Sequence, residues 1–272
     1  MIMPDFICPK QALQGKRVLV ASTPKTSQRL KDGLESRGAA VRVAHVIEIR
    51  ECAAKGPLDR AIDALDSYAW IVFTSSYGVH FFLRRLAQRG IRADRLSRRR
   101  LCAVGPSTAE ELTKEGLRAT LVPQEFLAEG IASALLFSDR GAAQLAGTRI
   151  LMPRAREARD TLPRLLSDAG AQVDAVVCYE NIPAQADPEL IESLSSIPPD
   201  IVVFTSSLAV RSLMGMMNPR QRSDMLANVC VAAMGPATAS TVESFGGKAG
   251  IVPGRSTVES LVDAIHRYFA RA

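Results

Sequence analysis

Short apolar runs alternate along this chain with longer stretches in which apolar residues recur every three to four positions. Trp70–Phe73 and Ile201–Phe204 are continuous apolar runs, the pattern of strands covered on both faces. Val79, Phe82, Leu83 and Leu86 follow the first run, and Val210, Leu213, Met214 and Met217 follow the second. Their i, i+3, i+4, i+7 spacing predicts helices that each turn one face to a core. Arg17–Ala21 and Arg149–Met152 predict two further strands, followed by helical patterns that end at Gly38 and Gly170, where glycine suits a left-handed C-cap. The last helix is expected over Val258–Ala270, with Ser256-Thr-Val-Glu259 as a capping box. Strand, polar turn and helix in repetition predict an α/β protein whose parallel sheets carry helices on both sides.

The pattern also repeats on a larger scale. Ile71-Val-Phe-Thr-Ser-Ser76 returns as Val202-Val-Phe-Thr-Ser-Ser207, 131 positions later. Ala103-Val-Gly-Pro-Ser-Thr-Ala109 returns as Ala233-Met-Gly-Pro-Ala-Thr-Ala239, 130 positions later, and Pro123 matches Pro253 at the same offset. Leu34–Val43 resembles Leu166–Val176, with Gly38 and Gly170 132 apart. Landmarks in nearly constant register imply duplication of a unit of about 130 residues, far longer than a solenoid repeat. A length of 272 residues accommodates two such domains.

Composition narrows the setting. No run of about 18 apolar residues appears, so no membrane span is expected, and Met1–Lys10 lacks the basic start and apolar core of a secretory signal. Cytoplasmic residence follows as the expectation. Five widely spaced cysteines, Cys8, Cys52, Cys102, Cys178 and Cys230, fit reduced, buried thiols better than disulfides or a zinc site. The formal net charge of +6 suits an acidic partner without choosing among them. With aromatics at 5% and no basic stripe along a helix, nucleic acid is not the expected partner; the arginine run Arg95–Arg100 reads first as a solvated loop.

Candidate chemistry gathers at the turns. Thr74, Ser75 and Ser76, and their counterparts Thr205, Ser206 and Ser207, stand where a strand ends and a helix begins, so hydroxyls and backbone N–H groups converge there. Gly105, Ser107 and Thr108 repeat the arrangement, as do Gly235 and Thr238; each glycine permits close backbone approach and each threonine is expected to be available at a helix start. One such turn only caps a helix. Four in two matched pairs point to an anion-binding cleft shared by the domains and an elongated ligand with several carboxylates or phosphates. There is no GxxxxGK[ST], no GxGxxG after a strand and no G-x-S-x-G elbow, and His45, His80 and His266 show no metal-ligand spacing. No metal and no cofactor are therefore expected.

Together, Trp70–Val79, Ala103–Ala109, Leu151-Met-Pro-Arg-Ala155, Val177-Cys-Tyr-Glu180 and Ala233–Ala239 resemble the uroporphyrinogen-III synthase family in order and spacing, from about Lys16 to the C-terminus. Where that family often shows Thr-Arg-Pro after the first strand, this chain reads Ser22-Thr23-Pro24. The resemblance implies two similar flavodoxin-like domains: residues 1–45 with 182–272, and residues 49–175, joined by a two-stranded connector at 46–48 and 178–180. It implies a monomeric, cofactor-free enzyme that converts the linear tetrapyrrole hydroxymethylbilane to uroporphyrinogen III with inversion of ring D and loss of water. It further implies Tyr179 as the catalytic hydrogen-bond donor, and Arg154 among the substrate-binding groups with the turn residues above. A rival from another class is a non-catalytic two-domain ligand sensor of the same fold.

Overall fold

The two continuous apolar runs become the centres of two separate sheets. The computed structural model describes residues 12–137, 145–185 and 187–271, so the readings of Met1–Lys10 and Cys8 lie outside the described residues. The strands are β1 (Arg17–Ser22), β2 (Ala40–His45), β3 (Ile47–Glu51), β4 (Trp70–Phe73), β5 (Arg100–Ala103), β6 (Arg149–Ala155), β7 (Gln172–Pro183), β8 (Ile201–Phe204), β9 (Cys230–Ala233) and β10 (Ala249–Ile251). The helices are α1 (Pro24–Glu35), α2 (Gly56–Asp63), α3 (Ser76–Gln88), α4 (Pro106–Lys114), α5 (Ala128–Phe137), α6 (Thr161–Asp168), α7 (Pro188–Ser196), α8 (Ser207–Gly215), α9 (Pro219–Asn228), α10 (Pro236–Ser244) and α11 (Val258–Ala270). The chain divides into two compact units: unit 1, Met1–Glu48 with Ile182–Ala272, and unit 2, Ile49–Asn181. The divisions fall inside β3 and β7.

Unit 1 holds a sheet in the order β10-β9-β8-β1-β2, all pairs parallel. From β1 the chain moves outward to β2, then returns to lay β8 against the other side of β1 and continues to β9 and β10. The strand order thus reverses between β1 and β8, which leaves a crevice at their carboxyl ends. In unit 2 the order is β3-β7-β6-β4-β5, and the reversal lies between β6 and β4. An isolated parallel bridge from Cys102 to Leu121 stands where unit 1 has β10. On the opposite edge, Cys52 N–H donates to Cys178 O (3.2 Å) and Ala184 N–H to Val46 O (3.0 Å), the pattern of an antiparallel pair around β3 and β7.

The apolar runs are buried on both faces because each face meets helices. In unit 2, Ile71, Phe73, Leu101 and Leu151 join Val79, Phe82 and Leu86 of α3, while Trp70, Val72, Cys102 and Ile150 join Ile131 and Leu135 of α5 and Leu162 and Leu166 of α6. In unit 1, Val18, Val20, Ile201 and Val203 meet Leu30 and Leu34 of α1 and Leu261 and Ile265 of α11. Each such side chain contributes about 1.5–3 kcal/mol on leaving water. The helix faces read from spacing are the buried ones, with one difference: Val210, Leu213 and Met214 of α8 are in the interior, while Met217, also buried, lies just past the helix, which ends at Gly215. The expected capping box is replaced. Thr257, not Ser256, caps α11 by accepting from Ser260 N–H, because two adjacent hydroxyls compete for one cap and the helix begins one residue later than the motif suggests. The four described cysteines are free thiols.

Register breaks once where β6 meets β7. Arg154 pairs with Val177, but Ala155 pairs with Tyr179, leaving Cys178 as an extra residue in β7. A bulge of this kind re-aims the residues beside it. Cys178 and Tyr179, consecutive in a strand, consequently lie in the same core cluster against Phe81 and Phe82 instead of on opposite faces.

Two buried hydroxyls in unit 1, Ser27 Oγ and Ser212 Oγ, have no hydrogen-bond partner among the described residues. Ser27→Ala and Ser212→Ala should each leave stability unchanged or raise it by up to about 1 kcal/mol, since an unsatisfied buried hydroxyl is costly and its methyl replacement is not. Urea denaturation checks this; a loss above about 1 kcal/mol in either variant would reveal a partner such as an internal water.

Candidate functional site

Unit 2 builds its site from the turn after β4 and the bulged end of β7. Ser75 caps α3, its Oγ accepting from Gly78 N–H at 3.0 Å. A Cβ on Gly78 would lie 3.1 Å from Pro153 O, so the missing side chain lets α3 start close against β6. That approach sets Ser75 Oγ 2.8 Å from Tyr179 Oη. Tyr179 is 5% exposed, stacked on Phe81 (5.6 Å between centroids, 15° between planes) and flanked by Tyr77 at 6.0 Å. Burial pushes its phenol up to about 12, with the Ser75 hydrogen bond pulling the other way. Tyr179 is therefore a neutral hydroxyl across the ordinary pH range. With Gly78 N–H occupying one acceptor site on Ser75, the Ser75 proton can point to Tyr179 Oη and free the phenolic hydrogen for an outside acceptor.

On the other face of the same sheet, Thr74 and Arg154 stand at the reversal between β4 and β6. They line a recess of about 480 Å³ together with Phe126, Leu127, Met152 and Leu162. The Arg154 side chain is 8% exposed; Nη1 donates to Asp160 Oδ1 at 2.7 Å and Nη2 to the Ala158 carbonyl. Ser76 opens α3 and Ser107 lies in the first turn of α4, both half-buried. Gly105 precedes α4 with φ 88°, under the ring of Phe126.

Unit 1 repeats the turns with different partners. Ser206 caps α8 by accepting from Ala209 N–H at 3.1 Å. Thr205 Oγ1 shares a hydrogen bond of 2.8 Å with Ser22 Oγ, the residue at the end of β1. Ser207 Oγ donates to Ala237 O at 3.0 Å and accepts from Thr241 at 2.8 Å, tying the turn after β8 to α10. Gly235 precedes α10 in an extended conformation.

The expectation of threonines available at the helix starts is corrected. Thr108 is buried and its hydroxyl donates to Val104 O four residues back at 3.1 Å. Thr238 is likewise buried. Both are the third residue of their helix, within its first turn, and the buried side chain points back toward the sheet and not out over the rim. The arginine run is also absorbed locally: Arg95 and Arg99 both pair with Asp66, at 2.6 and 2.8 Å, and Arg100 lies over the Trp70 ring. Sequence reasoning missed Ser22, Phe126 and Asp160. The duplication could have found the first, since Ser22 stands 132 positions before Arg154, the same offset that relates Gly38 and Gly170. Among the described residues, no group of three or more His, Cys, Asp or Glu side chains is placed to hold a metal ion, and no helix is long and apolar enough to cross a membrane.

A family profile described as uroporphyrinogen-III synthase HemD matches residues 43–263. A protein of Methanothermobacter thermautotrophicus is 32% identical over 253 residues, covering 90% of this chain and 96% of its own. The uroporphyrinogen-III synthase of Synechococcus elongatus is 28% identical over 265 residues, 95% of this chain and 97% of its own. Among solved structures, the uroporphyrinogen-III synthetase of Helicobacter pylori matches 93% of this chain and 99% of its own with a TM-score of 0.62 at 17% identity, a likeness of fold.

Two outcomes follow from this geometry. Thr108→Ala should lower stability by about 1 kcal/mol through loss of one internal hydrogen bond, and leave ligand affinity and turnover as in the parent; a rise in KM in the folded variant would restore the rim role. For Tyr179, the raised pKa means that stability resting on the neutral phenol is fully present below pH about 10 and is lost as pH rises through about 12. In ultraviolet titration, the tyrosinate signal missing from Tyr179→Phe should emerge only near pH 12 or on unfolding; its appearance near pH 10 in folded protein would place the ring in water.

Proposed function

The chain belongs to the uroporphyrinogen-III synthase family, and on that premise we propose how its own residues carry out the conversion of hydroxymethylbilane to uroporphyrinogen III. The observation that carries the reading is the Ser75–Tyr179 hydroxyl pair at the carboxyl end of the unit 2 sheet. Hydroxymethylbilane has eight carboxylate arms and loses its terminal hydroxyl as water without help, and unaided closure yields the symmetrical isomer. The protein's task is to favour attack at the substituted carbon of the last pyrrole, through a spiro intermediate. Orientation is the main requirement, and it suits a rim rich in hydroxyl and N–H donors.

Tyr179 supplies a hydrogen bond to the departing hydroxyl. A phenol held near 12 is a weak acid at neutral pH, so it stabilises charge on the leaving oxygen without giving up its proton early; the proton passes over as water departs, and the phenol is restored by the proton that the substrate releases on ring closure. Ser75 orients the phenol by taking the other hydrogen-bonding position. Thr74, Ser76, Ser107 and the backbone at Gly105 are assigned to carboxylates on the rim of unit 2, and Thr205, Ser206 and the backbone at Gly235 have the same chemistry on the rim of unit 1. The basic net charge favours recruitment of a polyanion. The reading includes lyase chemistry without a cofactor, in a cytoplasmic monomer.

Tyr179→Phe keeps the ring stacked on Phe81 and removes one hydroxyl. Stability should fall by only about 1 kcal/mol, and turnover by roughly 10- to 100-fold, the worth of one hydrogen bond to developing charge. The product should remain mainly the inverted isomer, because the rim still decides which carbon is attacked. Isomer analysis of the porphyrins obtained after oxidation measures both. Turnover at the parent rate would remove Tyr179 from the water-loss step, and parent protein that yields no excess of the inverted isomer would favour the ligand-sensor reading.

A further inference from the structure

The two units treat their strand-order reversals differently. In unit 1, the residue ending β1 is Ser22, fully buried, and its hydroxyl closes on Thr205 across the crevice. In unit 2, the equivalent positions are Arg154 and Thr74, and no such closure forms: the crevice opens into the 480 Å³ recess. A reversal of this kind is where open α/β sheets bind ligands. The duplication has thus left one copy sealed by a hydroxyl pair and the other open with a cation at its base.

The lining specifies a chemistry. Phe126, Leu127, Met152 and Leu162 give apolar walls, and Phe126 and Leu127 keep 45% and 73% of their surface in solvent despite lying at the mouth of a cavity. At the base, a guanidinium that is 8% exposed requires an anionic partner. The present partner, Asp160, has a side chain 63% exposed, on the short connection between β6 and α6. A carboxylate so solvated is weakly held and exchangeable, whereas the arginine cannot go unpaired. Arg159 adds a second cation at the mouth and Glu129 one acid, so the recess admits a single carboxylate more readily than a dense polyanion.

We propose that this recess is a subsite for one carboxylate-bearing pyrrole ring, in which the ring lies between the walls at Phe126 and Leu162 and its carboxylate replaces Asp160 on Arg154. Asp160 is then an internal competitor that keeps the base neutral when the recess is empty. The assignment rests on the tetrapyrrole reading for its ligand but not for the competition between acids. A merely structural Arg154–Asp160 pair would give the opposite sign on mutation.

The test uses the full chain and a monopyrrole bearing one acetate and one propionate arm as probe. Asp160→Asn weakens the competitor, so the probe should bind about 5- to 10-fold more tightly than to the parent, corresponding to the roughly 1 kcal/mol expected of an exposed ion pair. KM for hydroxymethylbilane should fall in the same direction. Phe126→Ala, which alters only an exposed wall, should weaken probe binding several-fold. Unchanged or weaker probe binding in a folded Asp160→Asn protein overturns the subsite, as does unchanged binding in Phe126→Ala. Isomer analysis reports separately on the tetrapyrrole reading, so a failed subsite with intact inversion is distinguishable from failure of the enzyme assignment.

Discussion

Everything at the unit 2 site depends on one extra residue in β7. Without Cys178 as a bulge, alternation would send Tyr179 to the face of the sheet away from Phe81 and leave Ser75 facing apolar side chains. With it, two consecutive residues share a face, Tyr179 stacks on α3, and its hydroxyl meets the cap of that same helix. The bulge also leaves Arg154 as the last residue of β6 in regular register, directed to the opposite face from Ala155. One register shift separates the hydroxyl pair and the arginine onto two faces of a single sheet.

That separation has an electrostatic logic. Tyr179 lies in an apolar cluster, where burial favours the neutral phenol, and a cation placed there would instead favour the charged phenolate and lower its pKa. Arg154 lies instead above α5 and α6, with an acid from its own loop. The five-stranded sheet thus lies between a phenol kept neutral by burial and an arginine paired with its own loop's acid.

The strands Trp70–Phe73 and Ile201–Phe204, the helix faces behind them and the duplication were legible because buried parallel strands and amphipathic helices print their periods directly on the sequence. The pairing of β1 with β8 was not legible locally, since Val18 and Ile201 meet across most of the chain. Nor was the fate of Thr108: a threonine in a helix can offer its hydroxyl outward or back to the carbonyl four residues earlier, and only the start of α4 decides. Ser75 and Tyr179 were each singled out, one from a turn and one from a family motif, but their contact was hidden because a bulge has no composition of its own. In Val176-Val-Cys-Tyr179 the run is apolar throughout, so no alternation existed to be seen breaking.

The matched glycines carry a different lesson. Gly105 has φ 88°, a backbone state that a side chain disfavours anywhere, whereas Gly235 has φ −170°, open to any residue, and is constrained only because a Cβ would come within 2.8 Å of Ser256 Oγ. The same letter persists in both copies for unrelated reasons, one conformational and one steric. Loss of the Ser256 hydroxyl would open an escape route at position 235, while no neighbour can release position 105. Descendants of this gene can therefore shed the glycine of one half through a two-step path that is closed to the other, and the visible symmetry of the repeat should erode first in unit 1.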